Sequence, residues 1–547
     1  MSDPALLGHW PLTSDTRDGS GSGYHLSGAV QFGRPGGADS PAGALFTGDG
    51  DGLMAPAGLS TTIGDGDFSI TARVWTPETL DSVLGDVVSQ YDPRTRTGFN
   101  LTLLNLTGVT TSHPNQRQVL FGVDAGGQPQ ITDRGRLGTS DFICALAVFD
   151  DALYAGTVEG ADGRLGRVFR YVEGDQWEDC GSPDEANAVT ALATWRGALY
   201  AGTSHYRKRG SALPDSVNTT PGGRVYRYAG GQEWEPCGCI DPDDRFVVNT
   251  GRDSMRSEHC DSVGSLTAHN GQLYAIPLYS EGLFRYDGGQ SWSVCGSPGV
   301  RLMSLASHRG VLRAAANESG GVLSTRGDGE WNKDAPLPAE VSQTYSFAVH
   351  GNQLHIGTWP DGKVHRWSAD GSWADAGRLG EELEVMALVS YNGSLYGGTL
   401  PTGELYRQDA RAAGRWTQIA QLDTTPDVKY RRVWSMAVFR GELFAGTLPS
   451  GHVHSVLAGN AVSFDRELSP GWRSLAAVRH DGELRLYVDG VLAASRAGAS
   501  LNLNAAAPLR VGSGPHATLT GAVADVRVHR GALTTKQVRK IADDPMG

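Results

Sequence analysis

Cysteine is scarce in this chain, with six residues among 547. So few cysteines exclude a small domain that is held together by disulfides. Three of them, Cys180, Cys237 and Cys295, take the same place in the similar stretches WEDCG, WEPCG and WSVCG. Ala376 takes that place in WADAG, so the position favours a small apolar group and predicts buried free thiols.

Long apolar runs and basic patches are missing too. No window approaches the roughly 18 consecutive apolar residues of a membrane span. The opening residues, MSDPALLGHWPLTSD, lack the basic stretch and apolar core of an export signal. Lys and Arg number 47 against 60 Asp and Glu, a net charge of −13, which disfavours duplex nucleic acid as a partner. We expect a soluble protein without membrane or nucleic-acid partners, cytoplasmic as given and secreted if a leader has been removed.

Metal and nucleotide motifs are also absent from the sequence. It contains no His-x-x-x-His, no Cys-x-x-Cys pair and no glycine-rich phosphate loop. We therefore expect no metal and no cofactor. Cys239 and Cys260 bracket one long loop, and the sequence leaves open whether a disulfide joins them. The oligomeric state is open as well.

Glycine, in contrast, is abundant at 74 residues, and 13 tryptophans accompany it, which favours many short strands joined by tight turns. Between residues 140 and 460 the chain repeats itself. One unit consists of VTALATWRG, ALYAGT, GRVYRY and EWEPCG, within residues 189–238. Apolar and polar residues alternate in these segments, which indicates strands.

A leucine in the second strand marks seven copies of the unit: Leu153, Leu199, Leu273, Leu312, Leu354, Leu395 and Leu443. Their spacings are 46, 74, 39, 42, 41 and 48 residues, close to the roughly 40–50 residues of a four-stranded propeller blade. The pattern predicts an all-β protein with a seven-bladed β-propeller. Its layout resembles that of kelch-like propellers, and it lacks both the Trp-Asp signature and the Ser-x-Asp-x-Gly-x-x-Trp box.

The segments on either side of the repeat share a different character. Five stretches follow in order: LLGHWPL, ALFTGDGDGLMAP, DFSITARVW, GWRSLAAVRHDGELRLYVDGVLAAS and GAVADVRVHRGAL. This series resembles the laminin-G-like, concanavalin A-like jelly roll. The resemblance implies a sandwich of two sheets, and neither half of the chain could bury its apolar face alone.

We therefore expect the propeller to be inserted into the jelly roll. The predicted parts are a first jelly-roll part at 1–127, the propeller at 128–460 and a second jelly-roll part at 461–547. The last repeat unit supplies only three strands, so QITDRG (130–135) is expected to pair beside GHVHSVL and close the ring. An unclosed ring would expose two strand edges.

Long loops between the second and third strands and between units are expected to meet at one mouth of the propeller. They are rich in aromatic and charged residues, as functional loops are. The candidate catalytic residues are His205, Tyr206, Tyr345, Tyr430, Glu384 and Asp423. The candidate substrate-binding residues are Arg207, Arg252, His259, Tyr279, Trp359, Arg431, Arg432 and His452.

These residue types favour a glycan-directed protein with a carbohydrate ligand. A polysaccharide lyase would use an arginine to neutralise a uronate and a tyrosine or histidine as base. A glycoside hydrolase would use two carboxylates, for which Glu384 and Asp423 are candidates. The alternative is a non-catalytic carbohydrate- or protein-binding scaffold.

Structural roles compete with these functional ones. Arg432 and Glu384 both begin innermost strands and could simply pair, and His454 is expected in a packing position. Calcium in the jelly roll, bound by Asp18 or neighbouring oxygens, is a further alternative, although GDGDG (48–52) is first a hairpin turn.

Overall fold

The computed structural model describes residues 4–50, 52–60, 66–79, 84–160, 162–247, 257–318, 320–498, 500–503 and 506–544. Among these the helices are Ala57–Ser60, Thr535–Asp543 and the 3-10 helix Lys208–Ser211, and every other element is a strand. The predicted all-β class is confirmed. No helix in the described part of the chain is long and apolar enough to span a membrane.

Two sheets combine strands from both ends of the chain. The first contains Ala5–Trp10, Gln31–Gly33, Gly43–Thr47, Phe68–Thr76, Gly471–His480, Glu483–Val488, Val491–Arg496 and Thr520–Arg530. The second contains Leu53–Met54, Gly85–Asp92, Thr97–Leu106, Asn115–Ala125, Asn460–Phe464 and Arg510–Val511. We call this pair of sheets the sandwich.

Side chains that alternate between the two faces of each strand build the core of the sandwich. In FSITARVWT (68–76), the side chains of Phe68, Ile70, Ala72 and Val74 are fully buried. They join one apolar cluster with residues of the second sheet, including Phe121. Because that cluster draws on residues before 124 and after 461, neither end of the chain has this core without the other.

The remaining described strands form seven antiparallel sets of four. In chain order they are Phe142–Phe149, Ala152–Val158, Val168–Glu173 and Gln176–Asp179; Ala188–Trp195, Ala198–Ser204, Arg224–Gly230 and Glu233–Cys239; Ser265–His269, Gln272–Ile276, Phe284–Gly288 and Ser291–Val294; Leu302–His308, Val311–Ala316, Val322–Thr325 and Asn332–Lys333; Gln343–His350, Gln353–Trp359, Lys363–Trp367 and Trp373–Arg378; Glu384–Tyr391, Ser394–Leu400, Glu404–Gln408 and Trp416–Gln421; Arg432–Phe439, Glu442–Leu448, His452–Leu457 and Gln130–Arg136.

The last set joins two distant parts of the chain. Gln130–Arg136 lies antiparallel to His452–Leu457, with Gln130 opposite Leu457 and Asp133 opposite His454. We propose that the seven sets are blades 1 to 7 of one propeller, inserted at 128–460 between the two parts of the sandwich.

A hydrogen bond from a tryptophan indole to a main-chain carbonyl links successive blades and explains the cysteine positions. The indole N–H of Trp234 in blade 2 donates to the carbonyl oxygen of Cys180 in blade 1 at 2.9 Å. The same bond recurs in the pairs Trp292–Cys237 and Trp416–Ala376. In blade 1, Trp177 donates to Arg134 at 2.7 Å, so Gln130–Arg136 takes the place of an outer strand. Cys180, Cys237 and Cys295 are buried free thiols, as predicted.

Cys239 and Cys260 are neighbouring free thiols. The side-chain hydrogen bond from Cys260 lowers the pKa of Cys239 to about 7.

One hairpin tip of the sandwich fills the central channel from the side of the short turns. We call residues Thr107–Pro114 the hub loop; they follow the strand Thr97–Leu106 and are all buried. The loop bonds to the innermost strand of every blade, at Cys144, Leu192, Leu266, Ser307, Phe347, Met386 and Trp434. The short turns between the first and second strands of the blades lie on this side, as the bonds from Asn352 to Thr518 and from Asn100 to Asn392 illustrate.

Candidate functional site

The opposite mouth of the channel is covered by the loop that follows the second strand of blade 2. We call residues His205–Leu213 the cap; it contains the 3-10 helix Lys208–Ser211. Asn187 holds the cap from below, because its side chain accepts from the main-chain N–H of Tyr206 at 2.6 Å and donates to the carbonyl of Tyr206 at 3.0 Å. Lys208 is buried and donates to Asp141 at 2.8 Å. The mouth is thus sealed by a segment of the chain itself.

Beneath the cap lies a buried charged cluster. The guanidinium Nε of Arg432 is 3.3 Å from Oε1 of Glu384, and its Nη1 donates to Oγ of Ser211 at 2.8 Å. Ser211 also hydrogen-bonds the hydroxyl of Tyr206 at 2.6 Å. Tyr345 contacts Glu384 from the neighbouring blade and donates to Gln343. Four predicted site residues, Tyr206, Tyr345, Glu384 and Arg432, therefore do come together.

The protonation chemistry of this cluster is that of a closed interior. Burial raises the pKa of Tyr206 to about 12 and raises the pKa of Tyr345. Burial also raises the pKa of Glu384, against the positive charge of Arg432. A phenol with a raised pKa holds its proton at neutral pH and is a poor general base.

A second group of predicted residues surrounds Asp261. Arg207 donates to Oδ2 of Asp261 at 2.8 Å, and Nδ1 of His205 lies 3.5 Å from the same oxygen. The guanidinium of Arg207 also stacks over the ring of Tyr279 at 4.3 Å. The hydroxyl of Tyr279 accepts from the main-chain N–H of Arg207 at 3.0 Å. These contacts fix the base of the cap, and only His205 keeps notable exposure, 20% of its side chain.

Other predicted residues serve the loops around the mouth. Asp423 is fully buried, and its carboxylate accepts from the main-chain N–H groups of Thr425 and Ser450 at 3.0 Å. Arg431 donates to the carbonyl of Thr425 at 2.6 Å. Tyr430 and Trp359 are half-buried.

Two more predicted residues lie towards the outside, and one is not described. His259 is largely exposed, and the hydrogen bond with Asp244 at 2.7 Å raises its pKa. His452 lies beside Asp133 at 3.0 Å on the outer half of blade 7. Arg252 lies outside the described residues.

The sequence did not single out several residues that hold the mouth together. They are Asp141, Asn187, Lys208, Ser211, Asp261 and Arg301. Arg301 is buried and donates to the carbonyl of Leu278 at 3.0 Å. Lys208 was not predicted as a site residue, because a lysine in a polar loop is normally exposed to solvent.

Asp18, the candidate calcium ligand, organises its own loop. Its carboxylate accepts main-chain N–H groups from His9, Ser20 and Tyr24 at 2.9–3.0 Å. These bonds lower its pKa although its partial burial opposes them. The described residues thus give this carboxylate a structural role at the start of the sandwich.

An open groove runs along the seam between the sandwich and blades 1 to 3. It consists of two adjoining cavities of about 350 and 440 Å³ that share Gln116, Gly197 and Glu467, and we call them together the seam groove. The first is also lined by Phe149, Asp150, Thr194, Asp465 and Arg466, and the second by Glu78, Thr79, Trp195 and Arg196. The sequence could not show this groove, because its walls come from the sandwich and from three different blades.

Gln116 stands at the centre of the seam groove. Its Nε2 donates to Glu467 at 3.2 Å, and its Oε1 accepts from the hydroxyl of Thr194 at 3.3 Å. Glu467 in turn lies 3.5 Å from buried Arg117. The amide of Gln116 therefore bridges the sandwich and blade 2, and it is half-exposed to the groove.

A buried carboxylate closes one end of the groove. Asp465 accepts from Gln118 and Ser463 at 2.5 and 2.6 Å and from the main-chain N–H of Arg440 at 2.9 Å. Burial raises the pKa of Asp465 to about 7, although these hydrogen bonds lower it.

We expect Asp465→Asn to flatten the pH dependence of stability. The folded-state pKa of Asp465 lies above its unfolded value of about 4, so its contribution is fully present below pH 4 and is lost as the pH rises to about 7. Wild type should lose more stability than the variant between pH 5 and pH 8. Urea unfolding of both proteins at the two pH values measures the difference, and parallel losses would contradict it.

Comparisons with known proteins bear on the second part of the sandwich. Residues 437–539 match the concanavalin A-like lectin/glucanases superfamily. The match begins within blade 7 and extends over the sandwich strands from Asn460–Phe464 to Thr520–Arg530. A search among curated proteins gives no match.

Solved structures with a similar fold have low sequence identity to this chain. Virginiamycin B lyase from Staphylococcus aureus is 9% identical, with 60% of this chain and 99% of that chain covered and a TM-score of 0.46. The extracellular domain of a hybrid two-component system from B. thetaiotaomicron is 14% identical, with 60% and 39% covered and a TM-score of 0.42. The WD40 β-propeller domain of Doa1 is 13% identical, with 60% and 96% covered and a TM-score of 0.40.

Proposed function

We propose that this protein binds a neutral oligosaccharide in the seam groove and does not turn it over. The observation that carries the proposal is the contrast between the two ends of the propeller. Tyr206, Tyr345, Glu384 and Arg432 are buried together beneath the cap, whereas the groove is open and lined by polar as well as apolar side chains. Each cavity falls within the roughly 300–1,000 Å³ typical of ligand sites.

The groove offers the groups that sugars need. Hydroxyl groups are recognised by planar amides, carboxylates and guanidinium groups, and apolar sugar faces by aromatic rings. The amide of Gln116, the carboxylate of Asp150 and the guanidinium of Arg466 line the first cavity beside Phe149. Trp195 adds apolar surface to the second cavity, with Arg196 stacked on its ring at 4.5 Å.

The charge of the groove favours a neutral ligand over a uronate. Its acidic lining residues are Glu78, Asp150, Asp465 and Glu467, and its guanidinium groups are those of Arg196 and Arg466. Arg466 is already engaged by Asp151 at 2.5 Å. Asp465 is partly protonated at neutral pH, but the carboxylates of Glu78, Asp150 and Glu467 still outnumber the two guanidinium groups. An anionic sugar would be repelled by this excess at short range.

The mouth residues support the absence of turnover. A lyase base must reach the proton that it removes, and a hydrolase needs two carboxylates that face its substrate. Tyr206, Tyr345 and Glu384 are each less than 7% exposed beneath the cap. Under this proposal they hold the cap in place.

Gln116→Ala is expected to weaken oligosaccharide binding about tenfold, the equivalent of ~1.4 kcal/mol. The substitution removes a half-exposed amide that faces both cavities and has only side-chain partners. Isothermal titration with a panel of neutral oligosaccharides, and with uronates for comparison, measures the dissociation constants. The matched control is His205→Ala at the mouth, which should bind as wild type does.

Three outcomes would count against the proposal. Loss of binding in His205→Ala with Gln116→Ala unaffected would place the ligand at the mouth. Release of reducing sugar or of an unsaturated uronate product would make the protein an enzyme. The absence of saturable binding to every neutral oligosaccharide would remove the carbohydrate assignment.

A further inference from the structure

Two histidines and one aspartate converge on the closing strands of blade 7. His452 and His454 alternate on one strand, so their side chains leave the same face, and their rings stack at 6.1 Å. Asp133 lies opposite His454 on the closing strand. Nδ1 of His452 is 3.0 Å from both carboxylate oxygens of Asp133. One ligand atom from each of the three residues lies within 4.8 Å of the others.

The spacing suits a first-row divalent metal. Zn²⁺ binds imidazole nitrogen and carboxylate oxygen at about 2.0–2.2 Å, which places neighbouring ligand atoms about 3.3–3.6 Å apart in a tetrahedral set. His452 and Asp133 are 3.0 Å apart, so their ligand atoms need to separate by only about 0.3–0.6 Å. The ligand atom of His454 lies within 4.8 Å of the other two, so it needs to approach by no more than about 1.5 Å, and the half-exposed ring of His452 can adjust with it.

The surroundings orient the ligands as an outer shell does. The main-chain N–H of Gly135 donates to Oδ1 of Asp133 at 2.9 Å and fixes the carboxylate. The main-chain carbonyl of Leu422 hydrogen-bonds the ring of His454. Metal-bound histidines characteristically place their second nitrogen against such a carbonyl or carboxylate.

Nearby cations do not occupy the cluster. Arg136 follows Asp133 on the closing strand, but its guanidinium donates to the carbonyls of Thr139 and Ser140 at 3.1 Å. Arg134 turns to Glu442 and to Ser455 at 2.8 Å. The carboxylate of Asp133 therefore faces two imidazoles without a competing guanidinium.

We propose that Asp133, His452 and His454 bind a divalent transition metal of the Zn²⁺ class. The ion would join Gln130–Arg136, the first strand of the propeller, to His452–Leu457 from its other end, and would so fasten the closure of the ring. Because the three protein ligands leave at least one coordination position of Zn²⁺ open, water would complete the shell.

Zinc titration of the chelator-treated full chain tests the proposal. We expect one Zn²⁺ ion to bind at this cluster, and both His454→Ala and Asp133→Asn to weaken that binding by at least ~10-fold, the lower end of what loss of an outer-shell partner costs. Asp133→Asn keeps an oxygen for the N–H of Gly135, so it should fold even if His454→Ala does not. Co²⁺ in place of Zn²⁺ should give visible d–d bands that both variants lose.

His480→Ala is the matched control. His480 lies beside Asp67 at 2.9 Å and Asp481 at 3.6 Å in a second histidine–carboxylate group, which belongs to the sandwich. The variant should keep the ion that His454→Ala loses. Zn²⁺ should also slow amide hydrogen exchange of residues 131–135 in wild type. Equal zinc affinity in wild type and Asp133→Asn, or exchange in 131–135 that does not respond to bound Zn²⁺, would overturn the proposal.

Discussion

Replacing the hub-loop residues Thr107–Ser112 with the two-residue turn Asn-Gly is expected to split thermal unfolding into two transitions. With His113 and Pro114 the replacement makes a four-residue connection between the strands, a common hairpin length, but the bonds from residues 107–112 to the innermost strands of the propeller are lost. Each such bond contributes about 1 kcal/mol, so we expect a loss of at least ~5 kcal/mol, to which the emptied channel adds a cavity cost.

Scanning calorimetry measures this effect directly. In wild type the hub loop couples the sandwich to all seven innermost strands, so the two parts should unfold together. Thr110→Val is the conservative control. It removes a hydroxyl that lies 2.8 Å from the carbonyl of Met386 and 2.7 Å from that of Trp434 while it keeps the shape, and should cost ~1–3 kcal/mol in one transition. A single, unshifted transition after loop replacement would contradict the coupling.

The repeat could be predicted from the sequence because the patterns that mark it lie within single strands and turns. Period-two alternation and a marker leucine recur at blade spacing, and the strands that the structure contains lie where those patterns stand. The slot shared by Cys180 and Ala376 was readable for the same reason, since each lies beneath the tryptophan of the next blade.

The hub loop left no such signal. LTGVTTSHP reads as an ordinary polar turn between two strands. Its partners lie up to 324 residues away, as the bond from Thr110 to Trp434 illustrates. Only the way in which the sandwich sits on the propeller decides that this turn is buried, and no periodicity in the sequence encodes that arrangement.

The mouth residues illustrate the same limit. The predicted strand topology was enough to place Tyr206, Glu384 and Arg432 at one end of the channel, and the structure brings them together there. Their burial depends on the cap, whose anchors are Asn187 and the unforeseen lysine Lys208. The loop residues of the sequence therefore predict which side chains cluster, but they do not predict whether that cluster is open to solvent or buried.

Arg432→Met should be the most costly single substitution at the mouth. Arg432 and Glu384 are both nine-tenths buried, and removing one partner leaves a carboxylate in the interior without its counter-charge. Breaking such a buried pair costs ~3–5 kcal/mol. The change should appear as a lower urea midpoint, followed by the intrinsic tryptophan fluorescence of the protein, to which Trp434, 5.6 Å from the guanidinium, contributes.

Two further measurements distinguish the loss of the Arg432–Glu384 ion pair from the loss of packing around Arg432. Burial already raises the pKa of Glu384, and Arg432 opposes that rise, so the pKa in Arg432→Met should rise further. The stability that depends on a protonated Glu384 is then lost as the pH increases, and the variant should be closer to wild type at pH 5 than at pH 8. The double substitution Arg432→Met/Glu384→Gln removes both charges and should recover much of the loss, because a buried pair replaced as a whole by neutral groups is often tolerated. A double variant as unstable as Arg432→Met at both pH values would mean that Arg432 acts through packing and its bond to Ser211, and not through the charge of Glu384.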